Sequence, residues 1–87
     1  MFGMFIGEPQ HVTLICENSV MDHIIDRFGD EVETQPLDSK SFLADVNVAV
    51  SKPFFGWVFG FEGKVKIKSP AKVKQEYKKM LKRAVEV

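Results

Sequence analysis

Residues 41–50 place Phe42, Ala44, Val46, Val48 and Val50 in unbroken alternation, with Leu43, Asp45, Asn47 and Ala49 on the other parity. Successive side chains of an extended strand point to opposite faces, so a period of two requires one covered face and one open face. Lys64-Val65-Lys66-Ile67-Lys68 repeats the pattern, with two aliphatic residues inward and three lysines outward. From His11 to Glu17 the residues Val12, Leu14 and Cys16 share one parity, while Thr13 and Glu17 take the other. Three segments that each hide a single parity call for a sheet covered on one side.

The cover is legible as helices. Ser19 followed by Asp22 resembles a capping box, and Val20, Met21, Ile24, Ile25 and Phe28 then recur at helical spacing until Gly29. Near the C-terminus, Ser69-Pro70 reads as an N-cap followed by a proline at the first helical position. Val73, Tyr77, Met80, Leu81 and Ala84 form the apolar stripe behind it, and Lys78, Lys79, Lys82 and Arg83 sit in the second half, where cations suit the helix dipole. Glu31 to Leu37 reads as a short strand, and Asp38-Ser39-Lys40 is turn chemistry that joins it to 41–50 as a hairpin.

Residues 51–63 admit two readings. At period two, Phe55, Trp57, Phe59 and Phe61 share a face, and the aromatic and glycine run superficially resembles the RNA-stacking strand of an RRM. At period 3.6, Phe54, Trp57, Val58 and Phe61 share a face, with Ser51 as N-cap and Pro53 in the first turn. The helix is favoured, because the run lacks the basic residue that opens the RRM motif and the spacing of its aromatics. Gly56 and Gly60, four apart, then line one face and permit close packing on the sheet or on a partner. The element order becomes β-α-β-β-α-β-α, an α+β, ferredoxin-like β-α-β-β-α-β sandwich with an additional C-terminal helix.

With 87 residues the chain has room for one core. Apolar residues at 45% and charged residues at 28% are the balance of an ordinary globular domain. Net charge is zero, yet residues 1–62 carry ten acids against three bases and residues 63–87 carry nine bases against two acids. A neutral domain is a poor footprint for nucleic acid, so this asymmetry points first to two elements that attract each other. The single cysteine excludes a disulfide framework, and the apolar start lacks the basic region and length of a signal peptide or membrane span. The expected compartment is the cytoplasm.

Little here suggests catalysis. His11, His23 and Cys16 have no paired spacing for a metal, Cys16 shares the parity of Val12 and Leu14 as a core residue, and His23 lies between Asp22 and Asp26 on a solvated helix face. No phosphate loop or nucleophile elbow occurs. The expectation is a non-enzymatic module with no cofactor and no metal. Attention therefore falls on the parity that the helices leave open: Thr13, Ile15 and Glu17; Leu43, Asp45 and Asn47; Lys64, Lys66 and Lys68. In the ferredoxin-like order the last strand lies beside the first, which sets the lysine row next to Glu17. Such a face is either solvated and self-neutralising or a ligand and partner surface, with Ile15 and Leu43 giving apolar contact and Lys64, Lys66 and Lys68 receiving an anion.

The residues also resemble a family. Phe5-Ile6-Gly7-Glu8-Pro9 with Val12-Thr13-Leu14, then Arg27-Phe28-Gly29, Val48-Ala49-Val50-Ser51 through Phe54-Phe55-Gly56-Trp57 to Phe59-Gly60, and Val65-Lys66-Ile67 to Ser69-Pro70 with Val73 and Tyr77 look like the C-terminal extension (WCX) domain of bacterial WYL-domain transcriptional regulators. The likeness spans nearly the whole chain, and the Phe-Gly-Trp run before Ser-Pro is its most specific part. It implies a ferredoxin-like regulatory domain over residues 10–87, preceded by a lead-in segment at 1–9 from an upstream domain. It further implies a homodimer, upstream WYL and helix-turn-helix domains in a longer parent chain, DNA contact through that parent alone, and a small-molecule or nucleotide effector, with no membrane partner. Neither a helix-turn-helix pattern nor a Trp-Tyr-Leu tripeptide is present, so neither DNA binding nor the WYL ligand site is carried to any residue. A stand-alone ligand-binding module of the ACT type, with the same strand order, is the alternative.

Overall fold

The computed structural model describes residues 9–87, and the lead-in segment expected at 1–9 lies, but for Pro9, outside them. Four strands and three helices follow in the order β1 (Gln10–Glu17), α1 (Met21–Phe28), β2 (Glu33–Pro36), β3 (Ser41–Val48), α2 (Lys52–Phe59), β4 (Val65–Ser69) and α3 (Ala71–Val85). The strands form one sheet in the order β2-β3-β1-β4, with every neighbouring pair antiparallel. This is an α+β fold, and β4 does lie beside β1.

The alternating strands bury the expected parity. Val12, Leu14 and Cys16 of β1, Phe42, Ala44 and Val46 of β3, and Val65 and Ile67 of β4 meet Val20, Ile24, Phe54, Phe55, Val58 and Val73 in one core. β2 is fully exposed along its length, and Pro36 is tolerated there because an edge strand need not donate on its outer side. The turn behind it is built as its chemistry suggests: the Asp38 Oδ1 accepts from the Lys40 amide at 2.8 Å and from the Ser41 hydroxyl at 2.7 Å.

The helix starts depart from expectation at two places. Residues 18–20 form a 3₁₀ turn that absorbs Ser19, so α1 begins behind Val20 with no side-chain cap. Ser69 belongs to β4, and Pro70 itself takes the capping position of α3 rather than its first helical residue. At the other end of α1, Gly29 adopts φ 92°, which L side chains rarely do, and its amide donates to the Ile25 carbonyl at 2.7 Å.

Residues 52–59 are helical, and the strand reading of the aromatic run is excluded. The Ser51 hydroxyl accepts from the Phe54 amide at 3.4 Å, and Pro53 stands in the first turn. The buried face is Phe54, Phe55 and Val58; Trp57 and Phe61 are only half buried. The cause is the place of α2 between two other helices. Trp57 meets Phe28 of α1 edge to face at 5.4 Å, whereas Phe55 meets Tyr77 of α3 at 5.4 Å. Gly56 and Gly60 do not serve packing on the sheet: a Cβ at Gly56 would meet nothing within 4 Å, and one at Gly60 only carbonyls of its own helix.

α3 docks through residues 73–80. Val73 is fully buried and Tyr77 and Met80 pack against the core, but Ala84 is exposed and Leu81 only half buried. Fifteen residues rising about 1.5 Å each outrun the five-residue strand alongside, so the last turns project past the core. Among the described residues, no helix is long and apolar enough to cross a membrane.

Candidate functional site

The three helices leave one sheet face uncovered, and strand register decides which side chains share it. Ile15 is paired with Leu43 on β3 and with Lys66 on β4, so the two apolar residues and the middle lysine stand in one row across the sheet. One row on, the Glu17 amide donates to the Lys64 carbonyl at 2.9 Å, which fixes Lys64 beside the end of β1. A shallow depression of about 360 Å³ opens here, lined by Ile15, Glu17, Lys40, Lys64 and Lys66, with Asp38 and Ser41 at its hairpin side.

The structure thus gathers three of the five residues expected from sequence, Ile15, Lys64 and Lys66, around one concavity. Leu43 adjoins it through Ile15. Lys68 does not line it: it lies two residues further along β4 than Lys66, at the point where the register of β1 and β4 shifts between Thr13 and Leu14. Lys40 is the member that parity missed, since it belongs to a turn. Its backbone is held against β1 by the Asn18 amide, which donates to the Lys40 carbonyl at 2.9 Å. The signal available in the sequence was the Asp38-Ser39-Lys40 turn itself, which must lie at the same end of the sheet as Glu17.

Charge along this face is polarised. The opposite end holds Asp45, which accepts from the Thr13 hydroxyl at 2.7 Å and lies 3.5 Å from the His11 imidazole, with Glu33 as its cross-strand partner. At the depression three lysines face two carboxylates. The bond from the Ser41 hydroxyl, followed by that from the Lys40 amide, holds the Asp38 carboxyl below its usual range, so its charge is engaged by the turn. The self-neutralising pairing of the lysine row with Glu17 is not made: the His11 and Asp45 contact is the only ionic one within 4 Å among the described residues. An anion entering beside Ile15 meets Lys40, Lys64 and Lys66 without displacing an established ion pair.

Other chemistry is weak. Burial pushes the Cys16 thiol up to about 11, which keeps it protonated and makes it a poor nucleophile. His23 is exposed on α1 and packs edge to face against Phe61 at 5.4 Å. No cluster of three His, Cys, Asp or Glu side chains with the geometry to hold a metal ion occurs among the described residues.

Compared with known families, the chain matches a model described as the WCX domain over residues 8–85. No curated protein and no solved structure matches the chain.

Proposed function

The chain belongs to the WCX domain family, and from that membership we propose that it is the C-terminal regulatory domain of a bacterial WYL-type, helix-turn-helix transcriptional regulator. It acts by binding rather than by catalysis, within the cytoplasm, and it biases its parent through self-association and through an effector received on the open sheet face. Promoter DNA is reached through the parent chain, and single-stranded DNA serves below only as an anionic probe of the sheet face. The observation that carries the regulatory role is the family match over nearly the whole chain; the face itself is supported by the concave, lysine-lined surface around Ile15. The same reading names the fold a ferredoxin-like sandwich with an added helix, supported by the central place of β1 between β3 and β4.

The effector class that suits this surface is an anion with an apolar or planar body. Lysines supply point charges to phosphate or carboxylate, and Ile15 with Leu43 supplies the contact. Titration of a short fluorescent single-stranded DNA, with competition by a nucleoside phosphate, tests it. Binding is expected, and Lys64→Glu with Lys66→Glu should weaken it about tenfold or more, since phosphate contacts dominate such affinities. Lys68→Glu should change it little. Absence of binding by both probes, or equal binding by the double variant, removes the effector role from this face.

A further inference from the structure

We infer that the depression on the open sheet face takes a free guanine nucleotide, the base being read by the Glu17 carboxylate while Lys40, Lys64 and Lys66 hold the phosphate. This rests on the anion-binding reading above and names its ligand class. Glu17 ends β1 on the open parity, exposed, and lines the depression among the three lysines. Its backbone is fixed, because its amide donates to the Lys64 carbonyl at 2.9 Å. Its carboxylate, among the described residues, accepts no hydrogen bond and closes no ion pair within 4 Å. The other acid of the depression, Asp38, is committed to its turn through the Ser41 hydroxyl and the Lys40 amide.

A site built only for an anion gains nothing from Glu17, since like charge opposes the ligand. A ligand that carries N–H donors beside its anionic group turns the same carboxylate to use. An ionised carboxylate has two acceptor oxygens and no donor. Its match on a planar body is a pair of adjacent N–H groups, and among the common nucleobases guanine presents one, N1–H with the N2 amino group on its Watson–Crick edge. Adenine and cytosine set a ring-nitrogen acceptor beside their amino group, and uracil flanks its single N–H with two carbonyls, so each turns a lone pair toward the carboxylate. Position agrees with chemistry. Ile15 and Glu17 are two residues apart on one strand, so their side chains leave the same face about 7 Å apart, and a base laid on Ile15 brings an edge to Glu17. Lys66 pairs with Ile15 and Lys64 adjoins Glu17 on one side of β1, while Lys40 approaches from the hairpin on the other. At about 360 Å³ the depression lies at the small end of ligand sites, which suits one nucleotide rather than a strand.

Equilibrium titration with guanosine, inosine, adenosine, cytidine and uridine monophosphates tests the reading of the base. The guanosine nucleotide is expected to bind about tenfold more tightly than those of adenosine, cytidine and uridine, the discrimination that a bidentate pair gives. The inosine nucleotide, which lacks the N2 amino group, should fall between, and an all-thymine single strand, which has phosphates without the guanine edge, should compete no better than the adenosine nucleotide. Glu17→Gln keeps the size of an exposed side chain but offers one acceptor and one donor. It should weaken the guanosine nucleotide to within about threefold of the others and leave those unchanged or tighter. A Glu17 that merely repels anions would make the same variant bind all five more tightly alike. That result, equal binding of all five by the original chain, or binding of the strand without the guanosine nucleotide overturns the inference and leaves the anion reading standing. Absence of binding by the nucleotides and the strand alike overturns both.

Discussion

Phe54 is the largest of the fully buried side chains, 1% exposed, and it stacks beside Trp57 and Phe55 at the centre of α2. Truncation to alanine leaves a cavity that the sheet cannot collapse to fill, and Phe54→Ala should cost about 3 to 5 kcal/mol in urea denaturation. Phe59, five residues on and 60% exposed, should cost under about 0.5 kcal/mol in the monomer when replaced by alanine. Cys16 adds a dependence on pH. Its folded value is raised from 9.0 to about 11 by burial, so its contribution to stability is complete below pH 9 and is lost as pH rises toward 11. A thiol reagent at pH 8 should therefore modify the protein only as fast as it unfolds; rapid modification of the native chain would contradict the buried placement. The parity of Cys16 with Val12 and Leu14 already identified it as core, because strand alternation is a local property. The share taken by Phe55 was not legible in the same way, since it depends on α3 lying against α2 at Tyr77.

At the scale of elements, the strands were found where one face is covered, though the one expected over 41–50 ends at Val48 and leaves Val50 outside it, and the one expected over 31–37 spans only Glu33–Pro36; the helix over residues 52–59 was favoured on the combination of Ser51 and Pro53 against an aromatic run that also fits a strand. The two capping expectations that failed, at Ser19 and Ser69, share a cause. Each serine lies where the chain leaves a strand, and the sheet claims those residues or their neighbours before a helix does: a 3₁₀ turn follows β1, and β4 extends through Ser69. Ser51 does cap, but at 3.4 Å, so Ser51→Ala should cost about 0.5 to 1 kcal/mol, at the lower end for such caps. The β2 to β3 turn offers a second dependence on pH. Asp38 titrates below its ordinary 3.8, because the Ser41 hydroxyl and then the Lys40 amide bond its ionised form. The stabilisation it lends the turn is present above pH 3.8 and is lost as pH falls through the lower folded value. Amide resonances of Lys40 and Ser41 should follow that transition with a midpoint under 3.8, and a midpoint above it would mean the turn is not held by Asp38.

For the whole molecule the decisive quantity is the distribution of charge. Ten acids against three bases, then nine bases against two acids, suggested elements attracting one another inside the chain. The fold brings Glu17 and Asp38 to the depression beside Lys64 and Lys66, yet among the described residues no ion pair closes within 4 Å between the acidic and the basic half. That outcome was not legible in sequence because it depends on strand order and on side-chain placement at the end of the sheet. It leaves a concave sheet face where Lys40, Lys64 and Lys66 surround Ile15. A nitrogen and proton correlation spectrum of the chain, recorded while a short single-stranded DNA is titrated in, examines the effector face most directly. The predicted result is a cluster of shifted amides at Ile15, Lys40, Lys64 and Lys66, with Asp22, Phe59 and Lys82 unmoved; shifts centred on α2 and α3, or none at all, would contradict it.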